Sequence, residues 1–95
     1  MKAKEKAEEL KAKVKGPYLC GLDLLQVRIA YLDRMMELVK LRKPQSWAGI
    51  DAIHREVSDW ARKVAQYMGF DDNQVEKLKR LTDKKHQEAK EKFKI

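Results

Sequence analysis

The sequence predicts an all-α protein, a small helical bundle of three core helices over about 23–43, 47–68 and 72–94 with a weaker helix at the N-terminus. Three observations carry that expectation. Apolar residues recur at alternating spacings of three and four, the signature of one face of an α-helix. Two segments open with complete helix-start signals. The chain is also rich in helix formers, with 16 Lys, 8 Glu and many Leu and Ala, while Asn and Thr occur once each and Ser twice. The same Lys and Glu enrichment is found in proteins from hot environments. A length of 95 residues fits a single helical domain over 1–95, with residues 1–15 as a basic N-terminal helix or arm and 23–95 as the core bundle.

The first segment, 2–14, carries a narrow stripe of Ala3, Ala7, Leu10 and Val14. A stripe that rests on two alanines predicts a helix that docks loosely or frays, with Gly16-Pro17 as its stop. The apolar connector 18–22 places Cys20 in a packed turn.

The second helix is expected to begin at Asp23 as N-cap. Gln26 would close a capping box, and Leu22 and Val27 would form a hydrophobic staple across it. Pro44 ends it near Lys43, because residues before proline avoid the α region. Two apolar seams run along this helix. One reads Leu22, Leu25, Ile29, Leu32, Met36, Val39, and the other Leu24, Val27, Tyr31, Met35, Leu38. Two seams are wider than the stripe of a surface helix, so this helix is expected to be the central element or to pair with a second copy in a homodimer.

The third helix starts near Ser46 or Asp51 and ends at Met68, with Gly69 in the left-handed position after it. Its seam is Ile50, Ile53, Val57, Trp60, Val64, Tyr67, and His54 lies on the flank of that seam. Phe70, Asp71, Gln74 and Val75 then repeat the staple and capping box. In the last helix the apolar stripe is clear at Val75, Leu78 and Leu81 and thins after Thr82, so its last three turns are expected to project. The expected core is Ile29, Leu32, Met36, Ile53, Val57, Trp60, Val64, Val75 and Leu78.

Charge points to function. The formal net charge is +7. Residues 1–15 hold six Lys against three Glu, and 77–95 hold eight basic residues against three acidic ones, so the excess sits at the two ends of the chain. Such segments attract polyanions. On the fourth helix, Lys77, Lys79, Arg80, Lys84 and Lys85 are the expected nucleic-acid contacts. Asn73 is the residue able to read a base, since its amide can pair with adenine. Trp47 is the aromatic side chain available for stacking, whereas Trp60 lies on the core seam.

The junction at 61–80 resembles the helix-turn-helix units of DNA-binding proteins. Ala65 and Gly69 occupy the small-residue and glycine positions, and Val64, Met68, Phe70, Val75 and Leu78 occupy the apolar ones. A close helix contact at Ala65 and a positive φ at Gly69 are what such a turn requires. The resemblance implies DNA binding. The alternative expectation is a non-catalytic interaction or assembly module.

A remote third reading is enzymatic. The expected long–short–medium helix order of 23–95 resembles the all-helical chorismate mutases. Asp51, Arg55 and Glu56 resemble that family's Asp-x-x-Arg-Glu element with one extra residue between, and Gly69-Phe70-Asp71 with Val75 resembles its next junction. The resemblance implies cations around a dicarboxylate, for which Arg28, Arg34, Arg42 and Arg55 stand in this chain. Lys90 falls where the family has a late glutamine.

No catalytic residues and no small-molecule substrate are assigned, and the chain is not expected to be an enzyme. No metal site or cofactor is expected, since one cysteine and two histidines 32 residues apart do not supply a zinc set. A charged N-terminal segment and the absence of a long apolar run lead to the expectation of a cytoplasmic protein that does not enter the membrane.

Overall fold

The computed structural model describes residues 2–14, 16 and 18–93. Four helices follow in chain order: α1 (Ala3–Lys11), α2 (Gly21–Arg42), α3 (Trp47–Met68) and α4 (Asp72–Lys92). No strand occurs among the described residues, and none of these helices is long and apolar enough to cross a membrane. The expected all-α bundle is what the chain forms. Pro17 and Lys94, the expected end points of the first and last helices, lie outside the described residues.

The central element is α3 rather than α2. Both α2 and α3 meet each of the other helices, but α1 and α4 pack mainly on α3 and only slightly on α2, and α1 and α4 do not pack on each other. The reason lies in the face of α3: Ile53, Val57, Ala61, Val64, Ala65 and Met68 are all buried, and Ala61 and Ala65 let neighbours approach closely. α1 is shorter than expected and docks on α3. Ala7 and Leu10 are 2% and 5% exposed.

The two seams of α2 part company. Leu24, Val27, Tyr31 and Leu38 are buried in the bundle. The other seam faces out: Leu22 is 71% exposed, Met36 69%, and Leu25 and Ile29 42% each. Ile29 and Met36 are therefore not core residues, and Leu32 and Trp60 are only partly buried. The remaining expected core residues, Ile53, Val57, Val64, Val75 and Leu78, are buried.

Helix ends follow local chemistry, with two corrections. Cys20, not Asp23, is the N-cap of α2, and Cys20 is exposed rather than packed. Asp23 is the third helical residue, where its carboxylate accepts the Cys20 N–H at 2.8 Å, the backward half of a capping box. Lys43 closes α2 in the left-handed region at φ 48°, which turns the chain into Pro44. Gly49 sits in the first turn of α3, where a Cβ would lie a tight 3.0 Å from the Pro44 Cβ. Gly69 has φ 104°, the positive value that favours glycine.

Asp71 caps α4 as expected, its carboxylate accepting the Gln74 N–H at 2.9 Å. Replacing Asp71 with Ala is expected to lower stability by about 0.5–2 kcal/mol, read from urea unfolding midpoints. A loss below about 0.3 kcal/mol would show that the cap does not hold α4.

The α3–α4 junction is an antiparallel hairpin. A helix-turn-helix pair diverges from its turn at roughly 90–120°. Here His54 meets Asp83, Asp51 meets His86, and the Trp47 indole N–H donates to the Phe93 carbonyl at 3.0 Å. The three-residue step from His54 back to Asp51 is matched by the step from Asp83 forward to His86, and Trp47 and Phe93 join the two helices beyond it. The last turns of α4 are thus tied to α3 through Asp51 and Trp47, although no described residue of α4 after Thr82 is buried.

Candidate functional site

Two places carry more chemistry than the fold requires. One is a polar cluster between α2, α3 and α4, buried at Tyr31 and His54 and opening to solvent at Asp83. It arises from a doubled sequence element, Asp51-Ala-Ile-His54 on α3 and Asp83-Lys-Lys-His86 on α4. A three-residue spacing puts both groups of each pair on one helix face. When two such helices run antiparallel in register, each aspartate necessarily meets the other helix's histidine. The His54 Nε2 lies 2.9 Å from the Asp83 carboxylate and the His86 Nε2 lies 2.6 Å from that of Asp51. The two imidazole rings stack between them, 4.1 Å apart and parallel within 1°.

The cluster extends on both sides. The Tyr31 hydroxyl, 2% exposed as a residue, lies 2.6 Å from His54 Nδ1. Lys90 donates to the second Asp51 oxygen at 3.0 Å, and the Trp47 ring meets His86 edge-on. A neutral His54 with its proton on Nε2 satisfies every partner, donating to Asp83 and accepting from Tyr31. His54 is therefore a core residue, not a helix-flank residue.

Protonation follows from these contacts. Burial pushes the His54 imidazole below its ordinary value of 6.5; the Asp83 hydrogen bond opposes this, and the positive field of His86 adds to it. The Asp51 carboxyl is held below its ordinary range by its hydrogen bonds to His86 and Lys90. Burial, with Asp83 nearby, pushes the Tyr31 hydroxyl up to about 12. The arrangement resembles a histidine oriented by a carboxylate, but Tyr31 and His54 are closed to solvent. A cleft of about 630 Å³ lies at the other end of α3, lined by Leu19, Cys20, Met68, Phe70 and Gln74. The cluster acts as a clasp that joins three helices. No set of three or more His, Cys, Asp or Glu among the described residues could hold a metal ion.

The second place is the outer face of α4. Val75, Leu78 and Thr82 point inward and are buried. Asn73, Lys77, Arg80 and Lys84, spaced by four, three and four, form one row on the opposite side, and all four are exposed. Lys79 and Lys85 do not join that row. Helical periodicity puts them on opposite flanks, and Lys79 is partly buried. Among the described residues, Lys77, Arg80 and Lys84 have no ion-pair partner, whereas Lys6, Arg34, Arg42, Arg62 and Lys90 each have one. Trp47, bonded to Phe93 and set against His86, is committed to the fold and not displayed for stacking. The basic α1 lies away from α4 on another side of α3, so the two basic ends do not merge into one patch.

Two of the arginines implied by the chorismate mutase resemblance are held by carboxylates of the chain itself. Arg42 forms a two-point ion pair with Glu56, at 2.7 and 3.1 Å. Arg34 pairs with Glu37 and lies over the Trp60 ring at 5.8 Å. The three main helices have 22, 22 and 21 residues, so the implied long–short–medium order is absent. Lys90 is bound to Asp51.

The Asp-His clasp was missed by periodicity, which treats isolated polar residues as flank positions. The repeated Asp-x-x-His element was its visible signal. The chain matches no family model, no curated protein and no solved structure.

Proposed function

We propose that this protein is a non-catalytic nucleic-acid-binding module that grips the phosphate backbone with the outer row of α4. The observation that carries the reading is that Lys77, Arg80 and Lys84 share one exposed line and have no acidic partner among the described residues. At 1.5 Å per residue the row is about 10 Å long. Duplex DNA presents about six phosphate charges over that distance. A cation with no protein partner can neutralise a phosphate and release its counterion without first breaking an ion pair.

The reading is one of backbone contact rather than base insertion. Asp71 and Asp72 at the start of α4 would repel phosphates, so the middle of the helix makes the approach. Asn73 sits at the acidic end of the row, and its replacement is expected to leave sequence preference unchanged.

The test is fluorescence anisotropy with labelled duplex DNA, single strands and RNA at about 50 mM salt, a concentration at which phosphate contacts are strong. Micromolar binding is expected, reduced at least about tenfold when Lys77, Arg80 and Lys84 are all changed to Gln. Absence of any complex at low salt would overturn the reading.

A further inference from the structure

We infer that the outward seam of α2 is the interface of a parallel, two-fold homodimer in which Arg28 of each copy pairs with Asp33 of the other. This does not depend on what α4 binds.

The seam has the geometry of a coiled-coil stripe. Leu22, Ile29 and Met36 occupy a positions and Leu25, Leu32 and Val39 occupy d positions, with the 3-4-3-4-3 spacing such packing needs. A β-branched residue at the central a position between leucines at d is the combination that favours two strands. Most of the face is open, because the chain's own core takes the other side of α2 through Leu24, Val27, Tyr31 and Leu38, with Leu32 and Val39 at the border partly buried against that core. Leu22, Leu25, Ile29 and Met36 remain substantially exposed, an apolar run that a monomer gains nothing by displaying.

Charge selects the occupant and its direction. Arg28 lies on one flank of the seam, at a g position, and Asp33 on the other, at an e position. Neither has an ion-pair partner within the chain among the described residues. In a parallel pair, a g residue meets the e residue five positions later on the other helix. That places Arg28 against Asp33 of the second copy, twice by symmetry. The remaining g–e pairs, Gly21 with Gln26 and Met35 with Lys40, bring no like charges together. In an antiparallel pair g meets g and e meets e. Arg28 would then lie near Met35 and Asp33 near Gln26, leaving both charges unpaired.

The size of the face sets the strength. From Leu22 to Val39 the helix rises about 26 Å, and two such faces bury on the order of 800 Å² in total, below the ~1,200 Å² of stable complexes. The helices are already formed, so association carries no helix-nucleation cost. A reversible dimer with half-association at tens to hundreds of micromolar is expected.

The experiment is sedimentation equilibrium of the full chain, joined to disulfide trapping. The wild type should shift with concentration from 11.2 kDa toward twice that mass. Asp33→Arg should weaken association several-fold, and adding Arg28→Asp should restore it. In a Cys20→Ser background, Met36→Cys should oxidise to a self-linked dimer, since only a parallel pair brings position 36 against itself. Circular dichroism on each variant should be unchanged, as positions 28, 33 and 36 lie outside the core. A chain that stays at 11.2 kDa to several hundred micromolar would overturn the proposal. A dimer in which Met36→Cys links only to a cysteine placed at Leu25 would overturn the parallel arrangement.

Discussion

Replacing His54 with Phe is expected to cost about 1–3 kcal/mol of folding stability, although it keeps the size and planarity of the ring. The cost comes from the Tyr31 hydroxyl, which is buried and left without a partner. Tyr31→Phe alone is expected to cost a similar amount, by stranding His54 Nδ1. The double variant should recover much of the loss, because replacing both members of a buried hydrogen bond with apolar groups is far cheaper than removing one. Urea unfolding of the four proteins at neutral pH measures this, and simple additivity of the two losses would show that Tyr31 and His54 are not coupled.

The same cluster sets a pH profile. Below 6.5 the unfolded chain takes up a proton that folded His54 resists, so stability falls as pH falls from there through the lower folded value. Asp51 adds a second loss as pH falls below its ordinary value of 3.8 and through its lowered one. At the alkaline end, folded Tyr31 holds its proton to about 12, while the unfolded chain loses it near 10, so stability falls as pH rises across that interval. A plateau between about 6.5 and 10 is expected. In the His54→Phe protein the first acid step, near 6.5, should vanish.

The second large effect separates the inner and outer faces. Leu78 is 0% exposed at the meeting of α4 with the core. Leu78→Ala should cost about 2–5 kcal/mol from lost burial and the cavity left behind, a large share of the roughly 5–15 kcal/mol that holds a domain together. Met36→Ala, on the outward seam of α2, should change monomer stability by less than about 0.5 kcal/mol. Thermal or urea unfolding at low micromolar concentration gives both values. Equal losses at the two positions would show that the seam is packed within the chain.

What could be read in advance follows from the kind of information each feature holds. Asp71, Gly69 and the α3 seam are local: a cap, a left-handed glycine and one dominant apolar face each specify themselves. The two seams of α2 are nearly equal in apolarity, and periodicity alone does not say which turns inward. The inner one carries Tyr31, whose hydroxyl finds its partner only once His54 is placed by α3. The bonds that tie the end of α4 to α3 are likewise not local. The inner face of α4 continues past Leu78 as Thr82 and His86, polar residues that are buried or nearly so because hydrogen bonds satisfy them. An apolar stripe that thins is not always a helix leaving the core. The basic residues of α4 were legible as a group, but only the folded helix separates the outward row of Lys77, Arg80 and Lys84 from Lys79 and Lys85 on its flanks.

The salt dependence of duplex binding tests the functional account most directly. Three phosphate contacts by Lys77, Arg80 and Lys84 predict that log affinity falls with log salt at a slope near −2.7, from ~0.9 per contact. Changing all three residues to Gln should bring the slope close to zero, with helix content unchanged by circular dichroism. A wild-type slope that persists in the triple variant would contradict the account, because the phosphate contacts would then belong to some other face of the protein.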